Sequence, residues 1–123
     1  MAFWGHVGDS RIYLYRDGEF KQISVDHTIV QVLLEKGKIT EEEAMDHPQR
    51  HVLTRAVGVD ENLVVDSGAF EVQPKDRILI CSDGLTSFIQ KQELYDAIGD
   101  YRRTEREIIN DLFARVYENG AKR

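Results

Sequence analysis

Two aspartates stand where chemistry is often built. Asp83 lies in "ICSDGLTSF" (80–88), directly after the apolar run Ile78, Leu79, Ile80 and Cys81. Asp9 lies in "HVGDSRIYLY" (6–15), directly before a strong β-type run. Both are next to glycine, and loops at strand ends carry many binding and catalytic groups. Two such carboxylates, brought together, could hold Mg²⁺ or Mn²⁺, which favour hard oxygen ligands. They could also share acid–base work. The plain alternative is two unrelated turns, because Asp and Gly are common turn residues.

Other titratable groups offer less. His47 and His51 are four apart, a zinc-pair spacing if both lie on one helix, but Pro48 between them works against that geometry. Asp26 reads as a helix N-cap, with His27 a structural neighbour. His6, on a strand, is uninformative. Cys81 reads as inert core. A cysteine phosphatase needs an arginine shortly downstream to bind phosphate, and "SDGLTS" has none.

The elements that must position these groups are mixed α/β. "RIYLYRDGEFKQIS" (11–24) flanks Asp17-Gly18 with β-rich runs, the strongest short hairpin signal. A two-residue turn pairs Arg16 with Glu19, Tyr15 with Phe20 and Ile12 with Ile23. Apolar side chains then fall on both faces, predicting a sheet covered on two sides. Ile29, Val32 and Leu33 repeat at helical spacing, and Gly37 is a natural stop. Thr40 and Glu43 form a capping box for a second helix ending by Pro48. Residues 62–72 read as strand, and Ile78 to Cys81 as a buried strand. Lys91 to Ile98 reads as helix ending near Gly99. Thr104 and Glu107 cap a last helix whose stripe of Ile108, Leu112, Phe113 and Val116 reads as core.

Composition bounds the function. A chain of 123 residues, 41% hydrophobic, suits one domain with a real core. The formal charge of −6 argues against nucleic acid, whose phosphates attract Lys and Arg. No apolar run is long enough to span a membrane. The start lacks the blocks of a secretory signal. A single cysteine allows no intrachain disulfide and fits a reducing cytoplasm.

Four motifs occur in order: "HVGDSRIYLYRDGEF", "DHT", "LTRAVG" and "ILICSDGLTS". Together they resemble consecutive motifs of the metal-dependent protein serine/threonine phosphatases, the PPM or type 2C family, in its compact bacterial form. The resemblance covers nearly the whole chain. It implies an α/β (α+β) fold, part of a four-layer α-β-β-α sandwich with antiparallel sheets and a two-metal site in a cleft. It implies hydrolysis of phosphoserine and phosphothreonine in proteins by a metal-bound water, with no phosphoenzyme. The metals lower the water's pKa and stabilise charge on the phosphoryl oxygens. In this resemblance Asp83 is the late metal-ligand aspartate, and Asp9 helps hold an accessory third metal. Mn²⁺ or Mg²⁺ is the implied cofactor. Residues from about Leu34 to Gly58 resemble the family's flap, which influences substrate choice.

The match also has departures. The family's arginine-and-acidic motif and its Asp-Gly motif lie upstream of anything here. Its Asp-Asn motif lies beyond the glycine turn of "YENGAKR". Residues 1–123 are thus expected to be a single partial catalytic domain, to hold Asp9 and Asp83 near each other at a cleft, and to be inactive alone. No catalytic residue is assigned. Arg11 and Arg55 read as structural ion-pair partners. Exposed sheet edges predict a homo-oligomer. An aspartyl phosphatase of the haloacid dehalogenase type fails, because its nucleophile would stand two residues before Asp83, at Cys81. A non-catalytic, self-associating or regulatory module of this fold remains the alternative.

Overall fold

The computed structural model describes residues 1–54 and 64–120, so Arg55, the end of the flap-like segment and the start of the 62–72 strand lie outside the described residues. In chain order the elements are β1 (Ala2–His6), β2 (Arg11–Arg16), β3 (Glu19–Gln22), α1 (Ile29–Glu35), α2 (Glu41–Met45), β4 (Asp66–Phe70), β5 (Arg77–Cys81), α3 (Asp83–Thr86), α4 (Lys91–Ile98) and α5 (Glu105–Glu118). They fall into two compact units. One comprises Met1–Arg11 and Ser24–Gln73, the other Ile12–Ile23 and Pro74–Arg123. No described helix is long and apolar enough to cross a membrane.

In the first unit β1 pairs antiparallel with β4, setting His6 opposite Asp66 and Trp4 opposite Gly68. The glycine is required by packing. A Cβ at position 68 would come within 2.8 Å of three indole atoms of Trp4. Thr28 caps α1 by accepting the Gln31 amide at 3.2 Å. Gly37, at φ 69°, takes the left-handed conformation that stops it. Asp26 is therefore not the N-cap expected from sequence. Its carboxylate instead takes the Arg11 guanidinium, with Nε donating at 2.9 Å. The ion pair is the stronger partner for a carboxylate that is nine-tenths buried. The Thr40–Glu43 capping box of α2 is present in full.

In the second unit the sheet order is β3-β2-β5. The hairpin has the expected register, with Arg16 opposite Glu19 and Tyr15 opposite Phe20. Asp17 and Gly18 both take positive φ (49° and 80°), as a type I′ turn demands. Tyr13, Leu14 and Tyr15 are buried in succession, so β2 is covered on both faces. Tyr13 stacks on Phe20 at 4.7 Å between ring centroids. Leu79, Leu94, Ile108 and Leu112 complete the heart of the core. Arg16 forks onto the nearly inaccessible Asp76 at 2.7 Å.

Two expectations fail in this unit. β5 is not buried throughout: Leu79 is, but Ile78 is 44% and Ile80 73% exposed, and Cys81 is only half-buried. The alternation of a strand sends Leu79 into the core and its neighbours to the other face. The stripe of α5 is likewise split. Ile108 and Leu112 are buried, while Phe113, next along the helix, is 68% exposed.

Candidate functional site

β5 delivers Asp83. After Cys81 the chain is extended at Ser82, whose hydroxyl accepts the Gly84 amide at 3.2 Å and so caps α3. Asp83 is the first residue of that helix, where a carboxylate complements the local backbone dipoles. The Ser82-Asp83-Gly84 stretch is thus a helix start rather than a simple turn. The Asp83 side chain is half-buried.

Asp9 belongs to the first unit, Asp83 to the second. Asp9 is carried by a turn in which Gly8 has φ 102°, a backbone shape few other residues adopt. Several bonds fix this turn. The Gly8 amide donates to His27 Nδ1 at 3.0 Å, and the His27 amide donates back to the Gly8 carbonyl at 2.8 Å. His6 Nε2 meets the Ser10 carbonyl at 2.6 Å. Arg11, at the turn's far end, is held by Asp26. Arg11 is the structural ion-pair partner expected of it.

The structure does not bring His47 and His51 together in a ligand cluster among the described residues. His47 Nδ1 accepts the Gln49 amide at 3.0 Å, and no group of three potential ligands among the described residues includes His47. His51 instead brings a ring nitrogen within 4.8 Å of an Asp9 carboxylate oxygen. Its spacing from His47 hid that neighbour, which is 42 positions away in sequence.

No family model matches the chain. Known proteins do. The serine/threonine phosphatase stp of Listeria welshimeri is 40% identical over 97 residues, covering 79% of this chain and 38% of the relative. Among solved structures, the Streptococcus agalactiae serine/threonine phosphatase is 31% identical with a TM-score of 0.87, covering 96% of this chain and 48% of the other. The catalytic domain of the phosphatase PstP, solved with two manganese ions, is 34% identical with a TM-score of 0.76 over 96% of this chain and 48% of the other. The mixed α/β architecture with antiparallel sheets is thus that of a type 2C phosphatase domain. The chain's relatives are the bacterial PPM-type serine/threonine phosphatases, and it spans no more than about half the length of those it matches.

Proposed function

We propose that this chain is part of a metal-dependent protein phosphatase that hydrolyses phosphoserine and phosphothreonine in protein substrates, serving signalling by reversible phosphorylation in the cytoplasm. Residues 1–123 contribute to one catalytic domain, with 34–58 as its flap-like segment. Asp83 and Asp9 are its metal-binding side chains. What supports the reading is the likeness to a manganese-bound catalytic domain, together with carboxylates on two fixed backbone starts, the capped first turn of α3 and the clamped Gly8 turn.

The donor set fits Mn²⁺ or Mg²⁺. Both metals take hard oxygen ligands, and both aspartates are partly accessible rather than sealed in core. A bound metal would supply an activated water and charge stabilisation at the phosphoryl oxygens. The residues of this chain hold and orient it. Two carboxylates cannot complete a two-metal site, so the isolated chain should turn over little or no phosphothreonine peptide with Mn²⁺. Robust, chelator-sensitive hydrolysis by the 123-residue chain alone would show that the essential ligands are misjudged.

In the intact phosphatase, Asp83→Asn should lower Mn²⁺-dependent turnover by more than about a hundredfold, beyond what is typical for a group that only supports a ligand. Asp9→Asn should weaken metal binding. Unchanged rates and affinities in both variants would remove the metal assignment. So would a structure of the intact domain with the two carboxylates on opposite faces.

The second reading, a non-catalytic self-associating module, draws on one feature. In the second unit β5 and α5 line an apolar groove of about 340 Å³, with Ile80, Leu85, Ile109 and Phe113 on its walls. Ile80 and Phe113 are mostly exposed, and β5 is the last strand on its side of the sheet among the described residues. Such surfaces are uncommon on stable monomers. We propose that the isolated chain covers them by homo-oligomerising, which is compatible with either reading.

A further inference from the structure

His27 is bonded at four points, all within the first unit. Its amide donates to Gly8, its carbonyl accepts the Thr54 amide at 2.8 Å, Nδ1 accepts the Gly8 amide, and Nε2 lies 2.7 Å from Asp66 Oδ2. The residue is 5% exposed. A main-chain amide can only donate, so Nδ1 must be a bare lone pair and the ring proton must sit on Nε2, donating to Asp66. Asp66 is itself fixed, as the cross-strand partner of His6.

His6, His27 and Asp66 offer atoms within 4.8 Å of one another, the crowding of a metal site. The proton assignment argues otherwise. His27 has no lone pair left, because Gly8 uses one nitrogen and a proton the other. The carbonyl of Ser10 likewise requires the proton of His6 on Nε2. His6 Nδ1 is buried with no hydrogen-bond partner among the described residues. The cluster is two separate sets of oriented hydrogen bonds, Asp66–His27–Gly8 and His6–Ser10, and both end on the turn carrying Asp9.

We propose that His27 is a positioning residue for Asp9. It grips Gly8 through side chain and main chain together, holds the positive-φ turn, and so sets where the Asp9 carboxylate points. Asp66 keeps the imidazole in the tautomer that can accept from Gly8. This rests on Asp9 being a metal ligand. Groups that orient a ligand in this way typically change metal affinity ten- to hundredfold when removed.

The test uses the intact phosphatase and Mn²⁺. His27→Asn keeps an oxygen acceptor where Nδ1 stands and gives up Asp66. His27→Gln keeps the reach to Asp66 and gives up Gly8. Expected for His27→Gln is a Mn²⁺ affinity lower by about tenfold, in the range for such supporting groups. Turnover at saturating metal should change less, and the Gly8 amide should exchange faster. His27→Asn should restore most of both. Equal losses in the two variants, or wild-type affinity in His27→Gln, would overturn the proposal. Asp9→Asn is the control that separates the two ideas. If that variant binds Mn²⁺ as wild type does, the metal assignment fails, and positioning for a metal fails with it. The grip on Gly8 is then judged by its amide alone, and unchanged exchange in His27→Gln would reject it too. Nitrogen NMR of the unmodified protein needs no variant to fold. A His27 ring protonated at Nδ1 would overturn the proposal outright.

Discussion

Gly99 closes α4 with an ordinary φ of −78°, so nothing in its backbone requires glycine. Its neighbour does. A Cβ there would stand 2.6 Å from the Tyr15 hydroxyl and 2.9 Å from its ring carbon Cζ. Tyr15 has little room to retreat, since it is buried and flanked by the rings of Tyr95 and Tyr101 at 5.7 and 5.9 Å. Gly99→Ala should therefore cost about 1–3 kcal/mol, the usual range for overpacking. Urea unfolding measures it. Adding Tyr15→Phe removes the closest atom and should recover part of the loss. Full additivity of the two substitutions would show that the contact is not the cause.

The elements are stabilised locally by their ends, and there the sequence is most informative. The Thr104 hydroxyl accepts the Glu107 amide at 3.2 Å, and Glu107 reaches back to the Thr104 amide at 3.1 Å. Thr104→Ala should destabilise by about 1 kcal/mol, as for other N-caps. The Thr104 amide, with its hydroxyl, also holds the Glu107 carboxyl below its ordinary value of 4.5. A lowered folded pKa contributes stability above the ordinary value, and that stability is lost as pH falls through the folded one. Glu107→Gln should flatten the acid limb of stability against pH, and an unchanged slope would sink the assignment. Both capping boxes and the hairpin register were legible because each is settled within a few residues. What separates Asp26 from Thr28 as the cap of α1 is Arg11, fifteen residues away. Which face of β5 is covered depends on helices later in the chain. Asp66, the farthest partner of His27, lies 39 positions away. No local pattern encodes those choices.

At the scale of the molecule, Arg77 joins parts of the second unit that are distant in sequence. Its guanidinium donates to the carbonyls of Ile98, Asp100 and Arg103, at 2.9 to 3.2 Å, and lies 4.1 Å from the centre of the Tyr101 ring. It thus fastens the end of α4 and the link to α5 onto β5. A lysine ammonium carries its three donors on one nitrogen and lacks the planar fork that spreads them over these carbonyls and lies against the Tyr101 ring. Arg77→Lys should cost about 1–3 kcal/mol, the range for leaving polar groups unpaired. Thermal melting reads the loss, and an unshifted midpoint would show that water replaces the bonds freely. The apolar wall of β5 and α5 makes a separate forecast. Light scattering should find the isolated chain associated at micromolar concentration, and Ile80→Glu should return it to monomer. A well-folded monomer without that substitution would mean the surface needs no cover.

Cys81 lines the same groove, beside Ile80 and Leu85, and it is the only cysteine in the chain. The protein therefore carries its own chemical reporter. Modification by a small thiol reagent depends on access to the sulfur, so the labelling rate of Cys81 measures how long the groove stays uncovered. Dilution should speed labelling if copies of the chain cover one another. Concentration-independent labelling would show that copies of the chain do not cover the groove.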